Sequence, residues 1–240
     1  MNLLLLHSHE VDEASVARLS GRRLEHAREV LRVQAGQTLK VGVLGGLMGT
    51  AEVLSQDAQS LVLKVHATES PPPRAGVSLV LAVPRPKALK RVIPAVASLG
   101  VDRVVLVNAA RVEKSYFDSK VLAQEFLDGL VELGLEQACD TLRPTLEIRD
   151  RLKPFVEDEL ATWAPRDSVR LIPHPTATTP LRPVPSSTHV VLAIGPDGGW
   201  VPFEVDLFSK HGFQPVSLGR RVLRGEVAVP AVLGPVRAGS

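Results

Sequence analysis

Residues 190–228 constrain the fold of this chain more than any other stretch. An apolar run, residues 190–194, stops at the turn Gly195-Pro196-Asp197-Gly198-Gly199. A helical pattern, a second short apolar strand (residues 214–218) and a basic turn then lead into a last helix. In α/β proteins, strand ends followed by turns with little side chain present main-chain N–H and C=O groups to small polar ligands. We therefore expect an α/β sheet with a ligand site at these strand ends.

The composition indicates an ordinary globular protein, with 45% hydrophobic and 22% charged residues. Its single cysteine, Cys139, excludes an internal disulfide and fits a cytoplasmic location. No apolar segment reaches the roughly 18 residues of a membrane span, and the run at residues 3–6 predicts a strand rather than a signal peptide. A net charge of +2 is too small for coating nucleic acid by charge alone, and 4% aromatic residues disfavour a base-stacking sheet.

Three consecutive prolines, Pro71-Pro72-Pro73, mark the clearest linker in the chain. Before them, short apolar runs with glycine turns and one helical segment predict a small β-barrel. Its strands are expected at residues 3–6, 39–43, 49–54 and 60–65, and its helix at residues 21–33. We therefore place a β-barrel domain at residues 1–70 and an α/β domain at residues 75–240.

The second domain alternates predicted strands and helices. Strands are expected at residues 77–83, 103–108, 146–148 and 169–172, helices at residues 86–99, 118–139 and 154–160, and a loop at residues 175–188. On the long helix, Leu122, Phe126, Leu130 and Leu133 form an apolar stripe that predicts contact with a core or with a second subunit. The opposite, acidic face of that helix is expected to be solvated.

Basic residues cluster on two predicted helices. The cluster within residues 18–32 is either a solvated face with internal ion pairs or a phosphate contact, and its use of arginine favours phosphate. The helix at residue 86 begins among basic residues with no acid, which is unfavourable unless an anion is bound. We expect contacts to RNA phosphates from Arg22, Arg23, Arg28, Arg32, Arg85, Lys87 and Lys90.

The sequence contains no metal-ligand spacing, serine-nucleophile elbow, P-loop or dinucleotide fingerprint, so we expect no metal. Asp197 is either an ordinary turn residue or one that orients a polar or cationic ligand. Arg224 and Glu226 form either a structural ion pair or a group that binds an anion or moves a proton. For His174, a role in fixing the loop backbone is favoured over a general base, because no acid lies nearby in sequence.

Several motifs extend in order along nearly the whole chain. They are His26-x3-Val30-Leu31-Arg32, Ala35-Gly36, Pro84-Arg85-Pro86-Lys87, Ser98-Leu99-Gly100-Val101, Arg111-Val112-Glu113-Lys114-Ser115, Gly134-Leu135-Glu136-Gln137-Ala138, the turn at residues 195–200 and residues 217–228. Together they resemble the small-subunit rRNA methyltransferase E family, the 16S rRNA (uracil-1498-N3)-methyltransferases of the SPOUT superfamily.

The resemblance implies a PUA-like RNA-binding barrel followed by a SPOUT α/β domain with a C-terminal trefoil knot. It implies methylation of N3 of uridine 1498 in 16S rRNA of the small ribosomal subunit, with S-adenosyl-L-methionine as cofactor and a homodimer as the active form. The cofactor would contact three loops, through Ile172, Pro173, His174, Ile194, Gly195, Pro196, Asp197, Gly198, Gly199, Ser217, Leu218, Gly219, Val222 and Leu223.

The resemblance also suggests catalytic roles. Arg224 would stabilise negative charge on the uracil oxygens, Glu226 would handle the proton or fix Arg224, and Arg111 is a third candidate that would reach the partner's site. The chain departs from the family with Asp197 in place of glutamate, and with Gly225 and Val227 in the Leu-Arg-x-Glu-Thr-Ala motif. The alternatives are a non-catalytic RNA-binding or ribosome-assembly protein with the same fold, and a knotted methyltransferase for another RNA base.

Overall fold

The computed structural model describes residues 2–29 and 32–237 of the chain. These residues form two compact units. The first contains the described residues up to Pro73 together with Glu132–Arg143, and the second contains Arg74–Val131 and the described residues from Pro144 onward. The change at Pro73 falls in the proline segment, whereas the inclusion of Glu132–Arg143 in the first unit was not predicted. Among the described helices, none is both long and apolar enough to cross a membrane.

The first unit is built on a five-stranded sheet with the order β1-β3-β4-β5-β2. Its strands are β1 Leu4–Leu6, β2 Val16–Leu19, β3 Thr38–Val43, β4 Met48–Gln56 and β5 Leu61–Glu69. The pair β1–β3 is parallel and the other pairs are antiparallel. Helix α1, Gly21–Glu29, contributes Leu24 and Ala27 to the buried core of this unit.

The sequence pattern missed one strand of this sheet and extended its helix too far. Strand β2 has only four residues, and its extended conformation depends on antiparallel pairing with β5, which local sequence does not reveal. Helix α1 ends at Glu29, and Arg32 has a positive φ of 50°, which no α-helical residue adopts. The predicted helix and the Val30-Leu31 motif include two residues that lie outside the described ones.

The second unit is built on a six-stranded sheet with the order β11-β9-β10-β6-β7-β8, in which every pair is parallel. Its strands are β6 Val77–Ala82, β7 Arg103–Val107, β8 Thr145–Arg149, β9 Val169–Pro173, β10 Val190–Ile194 and β11 Gln214–Val216. All residues of the central strands β6 and β10 are buried, as their continuous apolar sequences predict for strands covered on both faces. The predicted α/β sheet is confirmed.

The remaining helices alternate with these strands. They are α2 Pro86–Ser98, α3 Lys114–Phe117, α4 Gln124–Ala138, α5 Leu152–Pro154, α6 Leu160–Trp163, α7 Pro202–Lys210 and α8 Gly225–Arg237, with a π-helical turn at Phe155–Glu159. The helix predicted from residue 118 begins instead at Gln124. A separate turn, Lys120–Leu122, precedes it, because the Ser119 hydroxyl accepts the Val121 N–H and diverts the chain.

The apolar stripe predicted on α4 is only partly buried. Leu130 is buried, whereas Phe126 and Leu133 are 37% and 44% exposed. The acidic face is also not simply solvated, because the Glu136 carboxylate is buried and pairs with Arg22 at 3.2 Å. An unpaired charge at that depth would be unfavourable, so the arginine is required there.

An ion-pair network stabilises the outer edge of the second sheet. The Glu147 carboxylate on β8 accepts hydrogen bonds from Arg149 at 2.8 Å, Trp163 Nε1 at 2.9 Å and Arg103 at 3.1 Å. Burial alone would raise the pKa of Glu147, but these three donors outweigh it and hold the pKa below its ordinary value. The carboxylate therefore contributes to stability in its ionised form.

We expect Glu147→Gln to lower the free energy of unfolding by about 1–2 kcal/mol at neutral pH, because a neutral amide loses the charge-assisted hydrogen bonds. A depressed folded-state pKa gives stability that is present above the ordinary value of 4.5 and is lost as the pH falls through the folded-state value. The difference in the free energy of unfolding between Glu147→Gln and wild type should therefore become smaller at acidic pH.

Urea unfolding at neutral pH and at about pH 3 measures this difference. Glu157→Gln is the matched control, since Glu157 forms an exposed pair with Lys153 at 3.8 Å and should change stability by less than about 0.5 kcal/mol. An equal loss for both variants, or a loss for Glu147→Gln that does not depend on pH, would contradict the assignment.

Candidate functional site

A pocket of about 200 Å³ lies at the carboxyl ends of β9, β10 and β11, which are adjacent in the parallel sheet. Carboxyl ends of neighbouring parallel strands meet at one edge of a sheet, where open α/β proteins bind ligands. The loops after these strands and the start of α8 form the walls. Their lining residues are Pro173, His174, Pro175, Ile194, Gly195, Pro196, Asp197, Gly198, Gly199, Trp200, Leu218, Gly219, Arg220, Arg221, Val222, Leu223, Gly225 and Ala228.

The turn after β10 presents main chain rather than side chains to the pocket. Its Gly199 N–H donates to the Pro196 carbonyl at 2.7 Å, and Gly199 has a φ of +70°, which glycine adopts without strain. A Cβ atom on Gly195 would lie 3.1–3.2 Å from Trp200, whose ring is buried against Phe208. Glycine at position 195 therefore lets Trp200 pack directly beneath the turn.

The loop after β7 holds this turn from one side. The Arg111 guanidinium donates a hydrogen bond to the Gly198 carbonyl. Glu204, which is 4% exposed on α7, accepts the Ala110 N–H at 2.8 Å and the Val201 N–H at 2.9 Å. One buried carboxylate thus satisfies the first turn of α7 and fixes the loop that carries Arg111.

Arg85, at the start of α2, holds the same turn from another side. Its guanidinium lies 3.5 Å from Glu226 and 3.9 Å from Asp197. Arg91, six residues further along the chain and within α2, lies 3.6 Å from the other oxygen of Glu226. Glu226, in the first turn of α8, therefore lies between two arginines, and its side chain is only 13% exposed.

The single tyrosine of the chain, Tyr116, lies in α3, which follows the loop that carries Arg111. Its hydroxyl donates to the Glu113 carboxylate at 3.1 Å. The pKa of Tyr116 is raised above its ordinary value, first because this hydrogen bond favours the protonated phenol and further because Asp197 adds negative charge. Tyr116 is therefore a neutral donor at physiological pH.

Most of the predicted cofactor residues line one pocket. Ile172 and Ser217 do not, since Ile172 is buried within β9 and the Ser217 hydroxyl accepts the Gly219 N–H at 3.1 Å behind the lining. His174 acts as a loop histidine, with Nδ1 2.9 Å from the Thr176 hydroxyl and its main-chain N–H bonded to the Val216 carbonyl.

The predicted catalytic residues have different surroundings from those expected. The ion pairs of Glu226 are with Arg85 and Arg91, whereas the sequence suggested that it either handles the proton or fixes Arg224. The Arg224 side chain is exposed and forms no ion pair with the described part of the chain. Arg111 binds the Gly198 carbonyl of its own chain, which gives it a structural partner beside the pocket.

The residues predicted to bind RNA divide into paired and exposed side chains. Arg22 pairs with Glu136, and Arg23 pairs with Glu10 and donates to the Leu5 carbonyl at 2.8 Å. These partners lie on other elements, so the two pairs differ from the pairs within the helix that the sequence suggested. Arg22 is also exposed, as are Arg28, Arg32, Lys87 and Lys90. Arg28 pairs with Glu29, and the Lys90 ammonium lies 5.3 Å from the centre of the Phe126 ring.

Four residues of the pocket wall lie outside the three loops predicted from the sequence, namely Pro175, Trp200, Gly225 and Ala228. Arg220 and Arg221, which also line the pocket, belong to the third predicted loop, residues 217–223. Trp200 directly follows the glycine turn, so its position in sequence could have identified it. Among residues 2–29 and 32–237, no group of three or more histidine, cysteine, aspartate or glutamate side chains is arranged to hold a metal ion.

Glu204→Gln is expected to destabilise the protein by about 1–3 kcal/mol, because the buried amide can accept only one of the two N–H groups, of Ala110 and Val201, and turns a donor toward the other. Asp206→Asn, an exposed change on the same helix, should alter stability by less than about 0.5 kcal/mol. Urea unfolding measures both, and equal stability of the two variants would show that Glu204 does not hold the loop after β7.

The family model for an RNA methyltransferase domain matches residues 70–237. The ribosomal RNA small subunit methyltransferase E of Treponema pallidum is 31% identical over 242 residues, covering 99% of this chain and 91% of the relative. The ribosomal RNA small subunit methyltransferase E 1 of Borreliella burgdorferi is 23% identical, and the match covers 96% of this chain and 95% of that relative.

Solved structures share the same fold. A ribosomal RNA small subunit methyltransferase E from Neisseria gonorrhoeae, solved with S-adenosyl methionine bound, superposes with a TM-score of 0.78 at 20% identity, covering 98% of this chain and 95% of its own. A methyltransferase-like protein from Legionella pneumophila, solved with SAM bound, superposes with a TM-score of 0.76 at 24% identity. The match covers 99% of this chain and 97% of the Legionella chain. Family match, sequence identity and coverage agree, and the chain therefore belongs to the RNA methyltransferase family that includes the ribosomal RNA small subunit methyltransferases E.

Proposed function

We propose that this protein methylates N3 of uridine 1498 in 16S rRNA, with S-adenosyl-L-methionine as the methyl donor. The observation that carries the proposal is the pocket formed by three loops at the ends of β9, β10 and β11. Its lining consists largely of glycine, proline and apolar residues, in a chain that belongs to an RNA methyltransferase family.

The chemistry of the pocket wall fits the cofactor. Adenine needs N–H and C=O groups for its polar edge and apolar contact for its faces, which glycine turns and residues such as Leu218 and Leu223 provide. The cofactor also carries positive charge on its sulfonium and amino groups, and the Asp197 carboxylate is the acid of the wall. We propose that the main chain of residues 195–199 and 218–223 holds the cofactor.

When bound, S-adenosylmethionine supplies an electrophilic methyl group. The residues of this chain have to hold uracil N3 in line with it, remove the N3 proton and stabilise the charge that develops on the flanking carbonyl oxygens. We assign charge stabilisation to Arg224, whose exposed guanidinium lies one residue before the start of α8. We assign proton acceptance to Glu226, the carboxylate in the first turn of that helix.

The exposed basic residues support RNA as substrate. Lys87 and Lys90 lie on α2, the helix whose Arg85 contacts the pocket turn. In the first unit, we propose a PUA-like RNA-binding role, supported by its small sheet and single helix and by exposed Arg28 and Arg32. Exposed arginine and lysine side chains attract the phosphate backbone and make binding depend on salt.

We propose two further family properties for this chain, a trefoil knot and a homodimer. The knot is supported by the segment entering the last turn, since the Ser217 N–H donates to the Thr179 carbonyl at 2.7 Å and its own carbonyl accepts the Leu181 N–H at 3.0 Å. The loop before β10 thus lies directly against the segment that leads into α8. The dimer is supported by Phe126 and Leu133, which are exposed apolar side chains on α4.

The proposed reaction is tested by incubating the protein and S-adenosylmethionine with small ribosomal subunits that lack methylation at uridine 1498. Mass mapping of nuclease fragments should locate one new methyl group, on N3 of that uridine. Methylation of a different base would favour the knotted methyltransferase of other specificity. Binding of rRNA without any methyl transfer would favour the non-catalytic assembly protein.

Arg224→Ala should reduce the single-turnover rate of methylation by about 100- to 1,000-fold, because one donor to the developing oxyanion is lost. S-adenosylmethionine affinity should stay within about twofold, since the main chain of the loops would hold the cofactor. Rapid-quench kinetics with saturating cofactor and rRNA measures the rate, and Arg166→Ala, an exposed arginine outside the pocket lining, is the control. An unchanged rate in Arg224→Ala would remove Arg224 from the mechanism.

A further inference from the structure

Arg85 occupies a position that its predicted role in RNA binding does not explain. It follows β6 and precedes α2, and its guanidinium faces two carboxylates on different elements of the pocket. Asp197 belongs to the turn after β10, the strand that pairs with β6, and Glu226 belongs to the first turn of α8. One cation therefore joins the turn and the helix start, which both contribute residues to the pocket wall.

The surroundings of Arg85 disfavour a phosphate as its partner. Two carboxylates within 4 Å already oppose its charge and would repel a phosphate brought to the same guanidinium. The Nε atom is buried without a hydrogen-bond partner, so the side of the guanidinium that carries Nε is not open to a large anion. Lys87, which is exposed and makes no ion pair with described residues, has the accessibility that a phosphate contact needs.

Building on the proposed function, we propose that Arg85 is a positioning residue of the cofactor pocket rather than an RNA contact. It fixes the turn at residues 195–199 relative to the start of α8 by pairing with Asp197 and Glu226 at once. Without it, two carboxylates near the pocket lose their shared counter-ion and repel each other. The turn and the start of α8 then move apart, and the main-chain groups of residues 195–199 no longer lie where they contact the cofactor.

Arg91 provides a matched comparison within the same helix. It pairs with Glu226 at 3.6 Å, as Arg85 does at 3.5 Å, but it makes no ion pair with Asp197. Removing Arg91 therefore takes one cation from Glu226 and leaves the link to the turn intact. Coupling to Asp197 is the property that separates the two arginines.

The test is a double-mutant cycle read out by isothermal calorimetry with S-adenosylmethionine. Arg85→Ala should weaken cofactor binding by about fivefold, which is the size of a partly exposed ion pair, and Asp197→Asn by at least as much, because Asp197 also lines the pocket. The double variant should bind no more weakly than Asp197→Asn alone, since Arg85 acts through its link to Asp197. Combining Arg91→Ala with Asp197→Asn should instead give the product of the two separate effects.

Binding to 16S rRNA without cofactor provides the second readout. Lys87→Ala should weaken rRNA binding and Arg85→Ala should leave it within about twofold, because the Arg85 charge is already neutralised. Thermal unfolding checks that each variant is folded, and Arg85→Gln, which keeps length but not charge, takes the place of Arg85→Ala if that variant does not fold.

Three outcomes overturn the inference. Independent effects of Arg85→Ala and Asp197→Asn would show that the two residues are not linked. A loss of rRNA affinity with unchanged cofactor affinity would return Arg85 to RNA contact. A wild-type protein that binds no S-adenosylmethionine would overturn the proposed function together with this inference. If the wild type binds the cofactor but the effects of Arg85→Ala and Asp197→Asn are independent, only the inference is contradicted.

Discussion

The close packing of Trp200 beneath Gly195 is the constraint on which the site depends. It brings the main chain of the turn after β10 to the pocket surface, and a Cβ atom at position 195 would press on the buried indole at 3.2 Å. Arg111 then fixes the Gly198 carbonyl, and Glu204 fixes the loop that carries Arg111. A ligand surface made of main chain needs such external supports, because the glycines themselves restrict the backbone very little.

The three departures from the family motif, at positions 197, 225 and 227, are each accommodated by local contacts. Val227 lacks a hydroxyl and is 48% exposed, yet α8 begins as expected because the Arg224 carbonyl accepts the Val227 and Ala228 N–H groups at 2.9 and 2.8 Å. A Cβ atom at Gly225 would meet Asp197 at 3.8 Å, an ordinary contact, so glycine there is permitted and not required. The shorter Asp197 leaves its carboxylate 3.9 Å from Arg85, beyond hydrogen-bond distance.

The parts of the fold that depend on local pattern were predictable, and those that depend on tertiary pairing were not. The apolar runs at β6 and β10 and the glycine turn at residues 195–199 identified the sheet and the location of the pocket. Strand β2 was missed because its pairing with β5 decides its conformation. The partners of Glu226 were also missed, since Arg85 and Arg91 are more than a hundred residues away in sequence and a nearer arginine, Arg224, looked equally suitable.

The central claim is that the three loops after β9, β10 and β11 hold S-adenosylmethionine. A crystal structure of the protein grown with S-adenosylmethionine tests it most directly. We expect electron density for the cofactor between residues 173–175, 195–199 and 218–223, with its polar edge bonded to main-chain groups. Density for the cofactor at any other place on the protein, or a pocket that stays without cofactor at saturating concentration, would contradict it.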